Sequence, residues 1–308
     1  MRKLVISSSV VFVSCLVVAL TVLPMILGVA DALAQGGIDG VTPPPMFEEQ
    51  PIGKAPPPSD IQPITDVVPL WGKTLRDRGT NLPLPFGLSV AYTYVAQNTE
   101  VSHVKVKDRT LDLDIPAAKT ASHTVVFRSD VWLLPILNVY GMVGYTNGQT
   151  EPKLRLRDGT TLGNKTVSYT RALYGGGATL AAGYRAFFLT LDGNYTTGAV
   201  QTDKKQIGNH EIYSITFTPR FGLIFSSGAW GEGSAWVGSM YMDFAQEVRD
   251  SLNARGKEVD YSVRIKAKDP WNLLLGGNWQ YNKHWSIAAE LGGVLDRFQV
   301  TTAAMFRF

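Results

Sequence analysis

From Phe86 to the C-terminal Phe308 the chain repeats one pattern: apolar residues at every second position, in runs of about ten, separated by turn-forming stretches. That period fits β-strands and not amphipathic helices. Phe86, Leu88, Val90, Tyr92 and Tyr94 alternate with Gly87, Ser89, Ala91 and Thr93. Further rows of this kind are Val125, Phe127, Val131 and Leu133; Leu137, Val139, Val143 and Tyr145; a run from Leu173 to Tyr184; and Leu189, Leu191 and Tyr195. After them come Tyr213, Ile215, Phe217, Phe221 and Leu223; Trp236, Met240, Met242 and Phe244; Leu273, Leu275, Trp279 and Tyr281; Trp285, Ile287, Leu291 and Leu295; and finally VTTAAMFRF, Val300 to Phe308. Ten strands are expected, or twelve if the segments around Val104 to Ile115 cross the wall instead of projecting from it. Short connections such as Pro135-Ile136 and Arg185-Ala186 alternate with longer ones, including a hairpin centred on Asp158-Gly159.

The first 85 residues read differently. Arg2 and Lys3 precede an apolar run to about Val29, and Ala32-Leu33-Ala34 offers small residues at alternate positions, so residues 1–34 are expected to be a secretory signal peptide. Cys15, the only cysteine, lies inside it, so the exported chain has no thiol for disulfides or thiolate metal sites. Residues 35–85 carry two PPP runs and no apolar period. They are expected to be a proline-rich tether, or, through a short helix around Val67 to Arg78, a plug for one mouth of the domain formed by residues 86–308.

A terminal strand whose alternate positions end in Phe306 and Phe308 resembles the C-terminal assembly signal of Gram-negative outer-membrane β-barrel proteins, the family that the leader and loop alternation also suggest. The resemblance implies an all-β, antiparallel, up-and-down transmembrane barrel of about ten strands, in outer-membrane lipid, assembled by the barrel-assembly machinery through that strand. Composition agrees. The 30 Gly, 12 Tyr, 13 Phe and 7 Trp suit tight turns and aromatic girdles. A formal charge of +3, or 27 basic against 25 acidic residues once the leader is gone, gives no reason to expect nucleic acid as a partner.

Opposite the apolar rows lie Arg128, Asp130, Asp192, Arg220, Asp243, Glu290 and Arg307. In a barrel these residues face the lumen, where they either pair off as a closed network or line a narrow polar passage. The expected function is a narrow solute pore or a membrane-anchoring structural barrel, with an adhesin or receptor acting through external hairpins as the alternative. Enzyme readings are thin. His284-Trp285-Ser286 matches the bare H-x-S pattern of outer-membrane lipid deacylases but falls at a turn on the wrong side, and Asp112 and Asp114 with His103 and His123 echo outer-membrane proteases only as loop residues. The four histidines lack metal spacing, and no cofactor is expected.

Overall fold

In the computed structural model the described residues are 68–77, 82–106, 113–114, 118–156, 161–164, 166–202, 211–226, 231–254, 257–293 and 296–308. The expected signal peptide and most of the proline-rich segment lie outside them, as do Asp112, Asp158 and Leu295. One short helix, α1 (Gly72–Asp77), precedes thirteen strands. These are β1 (Phe86–Val106), β2 (Leu113–Asp114), β3 (Ala118–Leu134), β4 (Leu137–Leu156), β5 (Thr161–Asn164), β6 (Val167–Tyr184) and β7 (Phe187–Thr202), followed by β8 (Glu211–Ser226), β9 (Glu232–Ala254), β10 (Lys257–Ala267), β11 (Trp271–Gln280), β12 (Trp285–Gly292) and β13 (Arg297–Arg307). No described helix is long and apolar enough to cross a membrane.

All pairings are antiparallel, and β1 closes the wall against β13 from Gly87↔Arg307 to Gln97↔Arg297. The result is a closed ten-strand barrel, β1-β3-β4-β6-β7-β8-β9-β11-β12-β13. Phe86 and Phe308 exchange backbone hydrogen bonds of 3.1 and 3.0 Å at the end that carries both chain entry and exit, here the near end.

Toward the far end the wall changes. β10 and β11 follow one another along β9, and β10 also pairs with β1, from Thr99↔Ala267 to Val106↔Tyr261. The pairings therefore close a second ring of eight strands, β1-β3-β4-β6-β7-β8-β9-β10, which shares seven strands with the first and runs above the short β12–β13 hairpin. Val104 to Val106 continue β1 into this ring, and among the described residues the segment that follows adds no two crossing strands.

The core is inverted relative to a soluble protein. Leu88, Phe127, Val143, Leu189, Ile215, Phe221, Val237, Leu273 and Ile287 stand exposed on the outside, whereas Ser89, Thr120, Asn138, Thr146, Thr218, Asn272 and Gln299 are buried within. A continuous exposed apolar belt around a polar interior suits hydrocarbon and not water.

One row runs opposite to expectation. Trp236, Met240, Met242 and Phe244 face inward, because Val237 and Tyr241 pair with the outward Phe221 and Phe217. Both rows of β9 carry apolar residues, so alternation alone could not choose between them.

At the near end α1 is the short helix anticipated before the barrel, fastened by Leu70 N–H to the Leu133 carbonyl at 2.8 Å, with Pro69 fully buried.

Candidate functional site: a charged belt across the lumen

The inward rows of β3 and β4 bring the first cluster together. Arg128 Nη2 donates to Asn138 Oδ1 at 2.9 Å, and Asn138 Nδ2 donates to Asp130 Oδ1 at 2.6 Å. Arg307, arriving on β13, donates to the same Asp130 oxygen at 3.0 Å and to the Leu84 carbonyl at 3.3 Å. Asp130 faces Gly87 across the β1–β3 ladder, and a side chain at Gly87 would occupy the space of its carboxylate. Glycine there is a packing requirement and not a turn.

Asp192 forms the second node. It accepts from Tyr140 Oη at 3.0 Å to each oxygen and from Thr179 Oγ1 at 2.6 Å, with Arg128 Nη1 at 3.9 Å. The Arg128 guanidinium lies 3.5 Å from the Tyr140 ring centroid, so it meets carboxylates at its edge and an aromatic face below.

The third node crosses the barrel. Arg220 on β8 reaches Glu290 on β12, Nε to Oε2 at 2.7 Å and Nη2 to Oε1 at 3.2 Å, a bidentate pair. Trp236 Nε1 donates to Glu290 Oε2 at 2.9 Å. The intervening inward positions are Gly238, beside the Arg220 stem, and Gly276, where a Cβ would come within 2.6 Å of the Trp236 ring. Two glycines clear the path along which the arginine and the indole span two strands.

Six of the seven lumen residues expected from sequence thus meet in one belt, three arginines against three carboxylates. Asp243 does not join them. It pairs across from the exposed Ile215 and faces outward, a correction that follows from the parity of β9. Asn138, Tyr140, Thr179 and Trp236 belong to the belt and were not anticipated. The first two share the inward parity opposite Val139 and Val143 and could have been read from the row.

A cavity of about 400 Å³ opens from the near end and reaches Arg128, Asp192, Arg220 and Arg307. Among the described residues no His, Cys, Asp and Glu cluster is arranged to hold a metal ion.

Of the enzyme-like motifs, His284-Trp285-Ser286 is the one that lies wholly among the described residues. His284 Nδ1 is 2.7 Å from the Arg307 carbonyl, its ring stacks on Phe306 at 5.8 Å, and no hydrogen bond to Ser286 is present among the described residues. His123 bonds Tyr92 Oη at 2.7 Å and packs on Tyr94. The side chains of His103 and Asp114 lie outside the described residues.

Fold and belt define a closed ten-strand antiparallel β-barrel with an apolar outer face and a charged lumen. No protein-family model and no curated protein matches the chain. Among solved structures it is similar to the translocator domain of the autotransporter NalP from Neisseria meningitidis, with 12% identity over 78% of this chain and 95% of that one and a TM-score of 0.37. It is also similar to the outer membrane protein OprG from Pseudomonas aeruginosa, at 12% identity, 74% and 98% coverage and a TM-score of 0.37. The toluene transporter TbuX from Ralstonia pickettii matches at 8% identity, 74% and 90% coverage and a TM-score of 0.29. Likeness at this level carries nothing about substrate or role, which have to come from the geometry of this chain.

Proposed function

We propose that the protein is an integral barrel of the Gram-negative outer membrane, exported by residues 1–34, with its near end in the periplasm and its lumen held shut by the arginine–carboxylate belt. It acts as a membrane-held structural barrel that presents the β9–β10 hairpin and the eight-strand rim to the exterior. The belt carries this reading: three cations and three anions, each with a partner and mostly withdrawn from solvent, form a charge-balanced crossing that offers a permeating ion no unpaired charge. The terminal strand, with Phe306 and Phe308, is the element offered to the assembly machinery, and residues 35–85 tether or cap the periplasmic mouth.

A second reading, a narrow regulated solute pore, is favoured by one observation, the near-end cavity that brings water up to the belt. Conductance in planar bilayers decides between them. A silent barrel at high salt is expected, and discrete, salt-dependent openings in the wild-type protein would reverse the order of the two.

A further inference from the structure

The ten-strand and eight-strand rings part at one point of the wall. β13 begins at Arg297, opposite Gln97, and β1 then turns to β10 from Thr99 onward. A cavity of about 370 Å³ lies at this fork, bordered by Gln97, Asn98, Lys119, Thr120, Asp296 and Arg297. Arg297 is only 3% exposed. Its Nε donates to Gln97 Oε1 at 2.9 Å, while Nη1 and Nη2, both buried, have no hydrogen-bond partner.

Asp269 acts on that charge through space, but no carboxylate among the described residues is hydrogen-bonded to the guanidinium. Asp296 is engaged by Asn98 Nδ2 at 2.8 Å and Lys268 Nζ at 2.6 Å, and Glu151, also on the border, accepts from Thr166 at 3.4 Å. The contrast with the belt is direct, since Arg220 and Arg307 each hold a carboxylate within 3.0 Å. A guanidinium withdrawn from water with its two-nitrogen edge unpaired is strongly disfavoured unless an anion completes it, and that edge matches two oxygens of an oxyanion.

We propose that the fork is a binding site for a phosphate group, held by Nη1 and Nη2 of Arg297. Gln97, through its amide nitrogen, and Lys119 bring further donors to the same border, which suits a tetrahedral oxyanion with more than two oxygens to satisfy. The cavity also touches Tyr94 and Phe298, which meet edge-on at 6.4 Å on the outward face, rings of the kind that sit at membrane interfaces. The phosphate therefore comes either from a lipid headgroup of the far leaflet or from a free solute. The site is separate from the belt and is read by binding, so the conductance result does not bear on it.

The test is the thermal unfolding midpoint of the refolded protein in nonionic detergent. It is titrated with sodium phosphate, with dihexanoyl phosphatidic acid, and with sodium chloride and dihexanoyl phosphatidylcholine as controls. A saturable rise beyond the controls is expected with at least one phosphate probe. It should be absent in Arg297→Gln and about tenfold or more weaker in Arg297→Lys, whose single ammonium cannot make two parallel bonds. A response to inorganic phosphate assigns the solute; a response to phosphatidic acid alone assigns the headgroup. No rise beyond the controls in the wild type, or a rise that Arg297→Lys keeps at full strength, overturns the proposal, and both readouts remain if Arg297→Gln fails to fold.

Discussion

Glu290 receives three hydrogen bonds, two from Arg220 and one from Trp236, and each donor arrives over an inward glycine. Removing the arginine leaves a carboxylate that is 7% exposed with only the indole to hold it. Arg220→Ala is therefore expected to destabilise the barrel by about 3 kcal/mol, toward the lower end of the range for stranding one member of a buried pair because Trp236 remains. Denaturant titration in detergent measures it. A loss of a few tenths of a kcal/mol would mean that the belt is solvated, and a lined passage would then be the better description of the lumen. Charged belt residues were legible in the sequence because a charge on the row opposite Phe127 or Leu189 has few places to go but inward. Trp236 and Asp243 were not, because on β9 the aromatic satisfies a lumen carboxylate and the acid stands beyond Ile215 on the outer face, so each side chain lies where its polarity alone would not put it.

Among the elements, the short β12–β13 hairpin needs the most explanation, since it ends below two strands that pair above it. Asp296 pins its tip. Its carbonyl accepts the Asn98 N–H at 2.9 Å, and its carboxylate takes Lys268 Nζ and Asn98 Nδ2. The hydrogen bond from Lys268 and then that from Asn98 hold the Asp296 carboxyl down to about 2, whereas Asp269 is pushed up by the hydrogen bond the two acids share. On acidification Asp269 takes the first proton and Asp296 the last. With its folded value below the ordinary 3.8, the contribution of Asp296 to stability is complete above that pH and is lost as pH falls through about 2. Asp296→Asn should accordingly lower the unfolding midpoint at pH 6 and converge on the wild type near pH 2. Parallel curves at all pH values would show that the ion pair does not fasten the hairpin. The ten wall strands were legible because their period is long and regular, whereas β10 was not singled out. The two-ring closure was not, because which strand β1 pairs with after Asn98 depends on a register between segments about 160 residues apart, and alternation carries no register information.

At the scale of the whole molecule, a barrel is one sheet whose last strand must find its first, and here that seam is short and ends on aromatics. Phe308 exchanges two backbone hydrogen bonds with Phe86, and their rings stack at 5.8 Å. Phe306 continues the stack at 5.9 Å and reaches Trp285 at 4.9 Å. Deleting Phe308 removes the final rung and the ring that closes this near-end cluster, while Arg307 keeps its bonds to Asp130 and Leu84. The folded barrel, with the rest of the β1–β13 ladder intact, should survive the deletion with a modest loss, on the order of 2 kcal/mol for one half-exposed aromatic contact and its paired backbone groups. Assembly should suffer more, because seam closure is the step that joins the two ends of the chain, and an exposed terminal aromatic is what the outer-membrane resemblance assigns to recognition. Two measurements separate these effects: the unfolding midpoint of variant refolded in detergent, and the yield of heat-modifiable barrel in cells. A small change in the first with a severe drop in the second is expected. Equal yields in cells would remove Phe308 from any part in targeting, and a collapse of the refolded variant would make its role purely structural.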